Sequence, residues 1–263
     1  MPYDGGHLKL DTNQYNEITQ KYPDSKKFLR KLLGGSEFIH GKKRWVLWID
    51  DANLDEAKKI PEIKKRIDLV RSFRENSGDV ARGLAKKSHQ FRFRNEAKKN
   101  FILVPYTSTK DRIYLPIGFI DKEYIVLNSA IVIFDPPLYM FGILSSRTHF
   151  LWVLNVSGKM KNDIRYSSSL CYNTFPINKL TQEVINKIEK TSLAIIDERE
   201  KFSNFTINNL YGKNMPLSLK NLHQKNDETI DEYLFGKKNY NDEDKVKMLF
   251  KMYDEFKNRD KLI

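Results

Sequence analysis

The chain has 263 residues, of which 40% are hydrophobic and 12% aromatic, so it is long and apolar enough to bury a core. No apolar run approaches the roughly 18 residues of a membrane helix, and the N-terminus lacks the basic and apolar segments of a signal peptide. A single cysteine, Cys171, excludes an internal disulfide framework and a cysteine-rich zinc site. These features predict a soluble cytoplasmic protein with no membrane partner.

The net charge of +12 is unevenly distributed. Residues 1–180 hold 31 Lys and Arg against 19 Asp and Glu, whereas residues 181–263 hold 15 of each. A basic portion followed by a neutral one favours a polyanion-binding domain joined to a scaffold. The alternative is that the lysines only make the surface soluble.

Helical and strand patterns alternate over the first 75 residues. The segments 12–22 and 23–35 are each predicted to be helical, the second from Pro23 onwards, and 37–49 is predicted to be two short strands around a turn at His40-Gly41-Lys42. Pro61 begins a further predicted helix, with Arg74 among the basic residues on its polar faces. Its apolar stripe consists of Ile63, Ile67, Val70 and Phe73.

Residues 91–134 change to short β-rich runs broken by prolines, which predicts a mixed sheet. Helical spacing follows over 138–155, and then a β segment, "DIRYSSSLCYNTF". Beyond residue 180 the pattern is helical. Helices are predicted over 181–204, about 216–235 and 242–257, the last with Asn241 as its N-cap. The predicted fold class is therefore α+β: a mixed β-sheet domain with flanking helices over 1–180, followed by an α-helical segment over 181–263.

The stretch "FDPPLYMFGIL" resembles the motif with which amino-methyltransferases hold a flipped base. In that motif an aromatic residue follows the second proline directly, whereas Leu138 separates Pro137 from Tyr139 here. No Gly-rich turn lies upstream to hold S-adenosylmethionine. We therefore interpret Pro136-Pro137 as the start of a helix.

Other catalytic patterns are equally weak. Asp51, Glu56 and Lys58 fit a nuclease pattern loosely, but a Lys- and Glu-rich chain produces such matches by chance. His149 is interpreted as a helix-face residue rather than a metal ligand. We predict that this chain has no catalytic site and needs no cofactor of its own, and we look for a binding function instead.

The segment "SGKMKNDIRYSSS" offers the best candidate for reading DNA bases. If 161–165 is extended, Lys161, Asp163 and Arg165 share one face of the strand. In the major groove, Lys or Arg donates to guanine O6 and N7, and Asp accepts from cytosine N4. Lys161 and Asp163 together suit the two members of one G·C pair. A salt bridge at a strand end is the alternative, and spacing alone does not decide between them.

The ordered series "MPYDGG…GSEFIHGKKRWVLWI…VRSFRENS…YLPIGF…NSA…FGILSS…HFLWV…GKMKNDIRYS…YNTFP", with "NLYGKNMPLSLKNLHQKND" in the helical tail, resembles the C-terminal part of single-chain type II (type IIL) restriction-modification enzymes. The similarity runs from Met1 to about residue 256. Members of that prokaryotic family join a nuclease, an adenine-N6 methyltransferase, a target recognition domain and a helical segment. The resemblance implies that this chain comprises the target recognition domain and the helical segment, and that it reads double-stranded DNA. In the whole protein, this DNA-reading part would work with the methyltransferase domain. The resemblance implies S-adenosylmethionine and Mg as cofactors of the whole protein.

The resemblance also assigns roles to individual residues. In the family, the residues that match Lys161 and Asp163 determine one base of the recognition sequence. The residue that matches Arg165 acts together with residues near Asn128 and Ser129. Phosphate contacts are a weaker prediction from local basic charge. The predicted phosphate-binding residues are Arg92, Arg94, Lys98, Lys99, Arg147 and Lys159.

The sequence leaves two rival functions open. One is a specificity subunit that serves a separate methyltransferase chain. The other is an RNA-binding or protein-interaction module built on the same fold.

Overall fold

The computed structural model describes residues 3–126, 129–160, 163–237 and 240–259. Backbone contacts divide the chain into two compact units. The first comprises Met1–Lys99 and Asp121–Ser129, and the second comprises Asn100–Ile120 and Ala130–Ile263. Of the basic and acidic residues in the sequence, 24 and 16 fall in the first unit and 22 and 18 in the second, so the first unit carries more of the positive charge.

A four-stranded sheet and several helices form the first unit. The strands are β1 (Lys9–Leu10), β2 (Leu29–Leu33), β3 (Arg44–Leu47) and β7 (Tyr124–Val126). Their order is β1-β3-β2-β7, with β2 and β7 parallel and the other pairs antiparallel. The helices are α1 (Thr12–Lys21), α2 (Gly35–His40), α3 (Leu54–Lys58), α4 (Pro61–Glu75) and α5 (Asp79–Arg82). The sheet and the helices enclose a hydrophobic core, and its most buried residues include Leu8, Leu47, Ile49 and Ile63.

Two predictions for the first unit are wrong in part. The helix predicted from Pro23 is a 3₁₀ turn over Pro23–Phe28 that leads into β2, because pairing with β3 and β7 outweighs local helix propensity. The first of the two strands predicted in 37–49 is instead the helix α2. Gly41, at φ 65°, ends this helix in the left-handed conformation that favours glycine.

Helix α4 confirms the prediction from Pro61 except at its C-terminal end. Ile63, Ile67 and Val70 are buried as expected. Phe73, however, is 41% exposed, and Arg74 is buried with 1% exposure. At the last turn of the helix, the buried side chain is therefore the guanidinium group of Arg74 and not the predicted aromatic ring of Phe73.

The second unit contains two three-stranded sheets within the described residues. One has the order β6-β4-β8, formed by β6 (Gly118–Asp121), β4 (Asn100–Pro105) and β8 (Ala130–Phe134). The other has the order β5-β10-β9, formed by β5 (Thr107–Thr109), β10 (Asp163–Arg165) and β9 (Gly158–Met160). The expected mixed α+β arrangement is confirmed, but the strand predicted over 163–175 ends at Arg165, and a π-helical turn follows over Ser168–Tyr172. The β-rich run predicted at 91–95 has no regular structure.

Six helices complete the second unit in the part of the chain that the structure describes. They are α6 (Leu138–Leu144), α7 (Arg147–Val156), α8 (Gln182–Glu200), α9 (Ile207–Leu210), α10 (Leu217–Phe235) and α11 (Asp242–Arg259). The three predicted C-terminal helices are confirmed, and Asn241 accepts from the backbone of Asp244 as the predicted N-cap. The short helix α9 was not predicted. No helix in the described part of the chain is both long and apolar enough to cross a bilayer.

Gly142 allows a close approach between three of these helices. A Cβ at this position would lie 2.5 Å from both Ile188 Cγ2 on α8 and Ser192 Oγ on α8. The Gly142 carbonyl also accepts from Asn226 Nδ2 on α10 at 2.8 Å. The helical segment is therefore packed directly onto α6 within the second unit.

Candidate nucleic-acid interface

The sheet β5-β10-β9 presents two of the predicted base-reading residues. Strand β10 pairs antiparallel with both neighbours, so that Asp163 lies opposite Thr109 and Arg165 lies opposite Thr107. Ile164, between them, is buried, while Asp163 and Arg165 are exposed. The predicted alternation is confirmed for these two residues. Because directly paired residues share a face, Thr107 and Thr109 extend the same polar surface.

Neither Asp163 nor Arg165 has a hydrogen-bond or ion-pair partner for its side chain within the part of the chain that the structure describes. A carboxylate offers only acceptors, and a guanidinium offers only donors. One exposed face therefore carries both kinds of group, held about two residues apart along a strand. This arrangement suits the donor and acceptor pattern at the edges of bases in a groove.

The strand β10 is anchored from behind by buried aromatic residues. Tyr166, next in the chain, is buried and donates its backbone N–H to the Tyr106 carbonyl at 2.8 Å. Its hydroxyl contacts His149 Nε2 on α7 at 3.1 Å. Complete burial lowers the pKa of His149 to about 3, so the imidazole is neutral at physiological pH. His149 is thus a helix-face residue of the interior, as the sequence predicts.

Two of the predicted base-reading residues, Lys161 and Asn128, lie outside the described residues. Ser129 is exposed and immediately precedes β8. It belongs to the first unit, whereas Arg165 belongs to the second. The joint action of Arg165 with Asn128 and Ser129 therefore stays a prediction.

The predicted phosphate-binding residues at 92–99 follow one irregular segment of the first unit. Arg92, Lys98 and Lys99 are exposed. Arg94 points inward instead: it donates to the Ile49 carbonyl at 2.9 Å and to Asp50 Oδ1 at 2.7 Å. Those contacts give Arg94 a structural role, and its predicted phosphate contact stays untested.

Arg147 and Lys159 differ in their surroundings. Arg147, the first residue of α7, bonds Asp242 at 2.7 Å and the Ile113 carbonyl at 2.7 Å, and is half-buried. These bonds hold it within the second unit. Lys159 is exposed on β9, but it pairs with Ile164, so its side chain leaves the sheet on the face opposite Asp163.

The residues of the discounted catalytic motifs have structural partners. Asp51 accepts from Lys87 at 2.9 Å and contacts His89 at 2.8 Å. Pro137 is the N-cap of α6, which confirms the helix start inferred from the two prolines. Among the described residues, no group of three or more His, Cys, Asp or Glu side chains is placed to hold a metal ion.

A buried ionic network in the helical part was not predicted. Lys245 Nζ on α11 lies 2.7 Å from Asp231 Oδ2 on α10, and both side chains are buried. Asp231 also accepts from Thr148 on α7 at 2.7 Å. One turn earlier, Asp227 accepts from Tyr114 at 2.8 Å, and burial raises the pKa of Asp227 to about 7. Charged residues on a helix normally indicate its solvent-exposed face, so the sequence alone gave no sign of this network.

Comparison with known proteins places the chain in a family. The family model described as "MmeI, target recognition domain" matches residues 1–179, and "MmeI, C-terminal domain" matches residues 181–260. DNA methyltransferase A of Bacillus subtilis (strain 168) is 38% identical over 261 residues, which cover 98% of this chain and 30% of that protein. The solved structure of the type IIL restriction-modification enzyme MmeI in complex with DNA superposes with a TM-score of 0.91 at 32% identity, covering 98% of this chain and 35% of that one. The chain thus spans about a third of the length of both relatives. It belongs to the MmeI family and comprises the target recognition domain followed by the C-terminal domain.

Proposed function

We propose that this chain binds double-stranded DNA and reads a short target sequence on behalf of a methyltransferase domain. The observation that carries the proposal is the exposed pair Asp163 and Arg165 on β10, whose side chains have no partner among the described residues. The family membership and the DNA-bound relative support the same ligand.

Specificity and affinity come from different residues in this proposal. Lys161 and Asp163 read the two members of one G·C pair, and Arg165 acts with Asn128 and Ser129 on another position. Arg92, Lys98 and Lys99 contact phosphates, which fix the register on the duplex but carry no sequence information.

The whole protein is proposed to be an adenine-N6 DNA methyltransferase joined to an endonuclease, using S-adenosylmethionine and Mg. Residues 1–180 would be its target recognition domain. Residues 181–263 would pack against the methyltransferase domain and so position the reader relative to the reacting base. The relatives' greater length is consistent with such additional domains.

A salt titration of duplex binding tests the proposal. We expect this chain to bind a duplex at low salt with an affinity that falls linearly on a log–log plot, with a slope of about −0.9 for each phosphate contacted. Double-stranded RNA of the same length should compete poorly, because its deep, narrow major groove hides the base edges. Equal competition by RNA, or no binding at low salt, would contradict the proposal.

A further inference from the structure

One aromatic side chain of the first unit is conspicuously exposed within its most basic segment. Phe93 has 65% of its surface exposed, more than any other aromatic residue among those the structure describes. Its neighbour Arg92 is also exposed, with its guanidinium carbon 5.0 Å from the Phe93 ring centroid. From 82 to 99 the sequence has seven Lys and Arg and one acidic residue, Glu96.

The backbone on the N-terminal side of Phe93 is firmly held. Phe91 is buried and stacks against Trp48 with ring centroids 6.1 Å apart. The Gln90 carbonyl accepts from the buried Arg74 at 2.7 Å, and Gln90 Nε2 donates to the Ile49 carbonyl at 3.3 Å. The chain is therefore fixed up to the residue before Arg92.

The C-terminal side is held as well. Arg94 bonds the Ile49 carbonyl and Asp50, and its guanidinium carbon lies 4.1 Å from the centre of the Trp48 ring. Trp48 Nε1 in turn donates to Glu96 at 2.8 Å. Arg92 and Phe93 thus project between two anchored positions, so the backbone here has little conformational entropy left to lose when a ligand binds.

An exposed ring in this position adds little to the core, and its surroundings favour a particular partner. A dense cluster of positive charge attracts a polyanion and disfavours an apolar protein surface that carries basic groups of its own. In a nucleic acid, phosphates are available to Arg92 and the lysines, while the apolar surfaces are the faces of the bases. Apolar side chains of DNA-binding proteins insert between base steps in this way.

We propose that Phe93 is a base-stacking wedge: when the chain binds duplex DNA, the ring inserts against the face of a base and Arg92 contacts the adjacent backbone. This inference rests on the proposed DNA-binding function and adds a contact site to it. Stacking does not depend on the identity of the base, so Phe93 contributes affinity and local distortion rather than sequence preference.

The test compares variants of the 263-residue chain in duplex binding at fixed low salt. Phe93→Ala is expected to bind about tenfold more weakly, the loss of one base–aromatic contact, with an unchanged salt slope. Phe93→Leu keeps an apolar side chain but no ring and should recover only part of the affinity lost in Phe93→Ala, whereas Phe93→Trp should restore wild-type affinity. Phe205→Ala is the matched control, because Phe205 is 52% exposed in the second unit, outside this basic segment.

Fluorescence supplies a second readout. On saturation with duplex, Phe93→Trp should show quenching in excess of the wild-type chain, and Phe205→Trp should not. Wild-type affinity in Phe93→Ala, full rescue by Phe93→Leu, or no excess quenching would overturn the inference while leaving DNA binding intact. Failure of the wild-type chain to bind any duplex would overturn the proposed function and this inference with it.

Discussion

Replacing Arg74 with methionine is expected to lower the free energy of unfolding of the first unit by about 2–4 kcal/mol, because it removes hydrogen bonds from buried carbonyls. The buried guanidinium group of Arg74 donates to four backbone carbonyls at 2.7–2.9 Å. The acceptors are the carbonyls of Tyr3, Leu84, Lys87 and Gln90. Methionine fills much of the same volume but removes one donor from each of these carbonyls. Those of Leu84 and Lys87 also accept from the backbone N–H groups of Lys87 and Gln90, so the cost should fall mainly on the carbonyls of Tyr3 and Gln90, because an unsatisfied buried polar group is costly.

Urea denaturation measures this loss, and hydrogen exchange locates it. Protection should fall most over 84–90, where three of the four carbonyls lie. Arg74→Lys keeps the charge but lacks the planar fork, so it should recover only part of the stability. Arg71→Met is the control on the same helix: Arg71 is exposed, and its replacement should change stability by less than about 0.5 kcal/mol. An Arg74→Met variant as stable as this control would show that the four hydrogen bonds contribute nothing net.

The second large effect is expected at the buried ion pair of the helical part. Lys245→Met should destabilise the second unit by about 3–5 kcal/mol, because it leaves the Asp231 carboxylate buried without its counter-charge. Adding Asp231→Asn to that variant removes the stranded charge and keeps an oxygen for Thr148, so part of the stability should return.

A second ion pair on the same helix provides the control. Lys247 and Glu243 lie 2.8 Å apart but are both exposed, so Lys247→Met should cost at most about 0.5 kcal/mol. Thermal or urea unfolding of the wild-type chain, Lys245→Met, Asp231→Asn and the double variant completes a double-mutant cycle. Two results would contradict this account of the Lys245–Asp231 pair. One is that Lys245→Met lowers the free energy of unfolding no more than Lys247→Met does; the other is that adding Asp231→Asn to Lys245→Met lowers it further.

The sequence predicted the elements that depend on local pattern and missed those that depend on distant partners. Helices α1, α4, α8, α10 and α11 follow from spacing and capping residues and are confirmed. Local pattern predicts a helix where strand β2 lies, because the partners of that strand, β3 and β7, lie elsewhere in the chain. Helical periodicity predicts Phe73 in the core and Arg74 on the surface, and both predictions are wrong. Arg74 is buried because tertiary structure brings together four carbonyl acceptors, and periodicity along one helix contains no information about them.

The candidate site likewise has some features that local pattern predicts and others that depend on tertiary contacts. Alternation around Ile164 was enough to place Asp163 and Arg165 together on the exposed face of β10. The sequence predicts a strand at Arg92 and Phe93, whereas their projection from the surface depends on contacts of the neighbouring residues with Trp48, Ile49 and Asp50. A run of basic residues identified the segment as a phosphate-binding candidate, but it did not show that an exposed ring stands within it.

Selection from a pool of random duplexes at low salt tests the central claim most directly. The wild-type chain should enrich a short motif that contains a G·C position. In the variant Lys161→Glu with Asp163→Arg, the donor and acceptor positions are exchanged, so that one position should change while the rest of the motif stays the same. A motif identical for both proteins, or binding without enrichment by either, would show that these residues do not read a base pair.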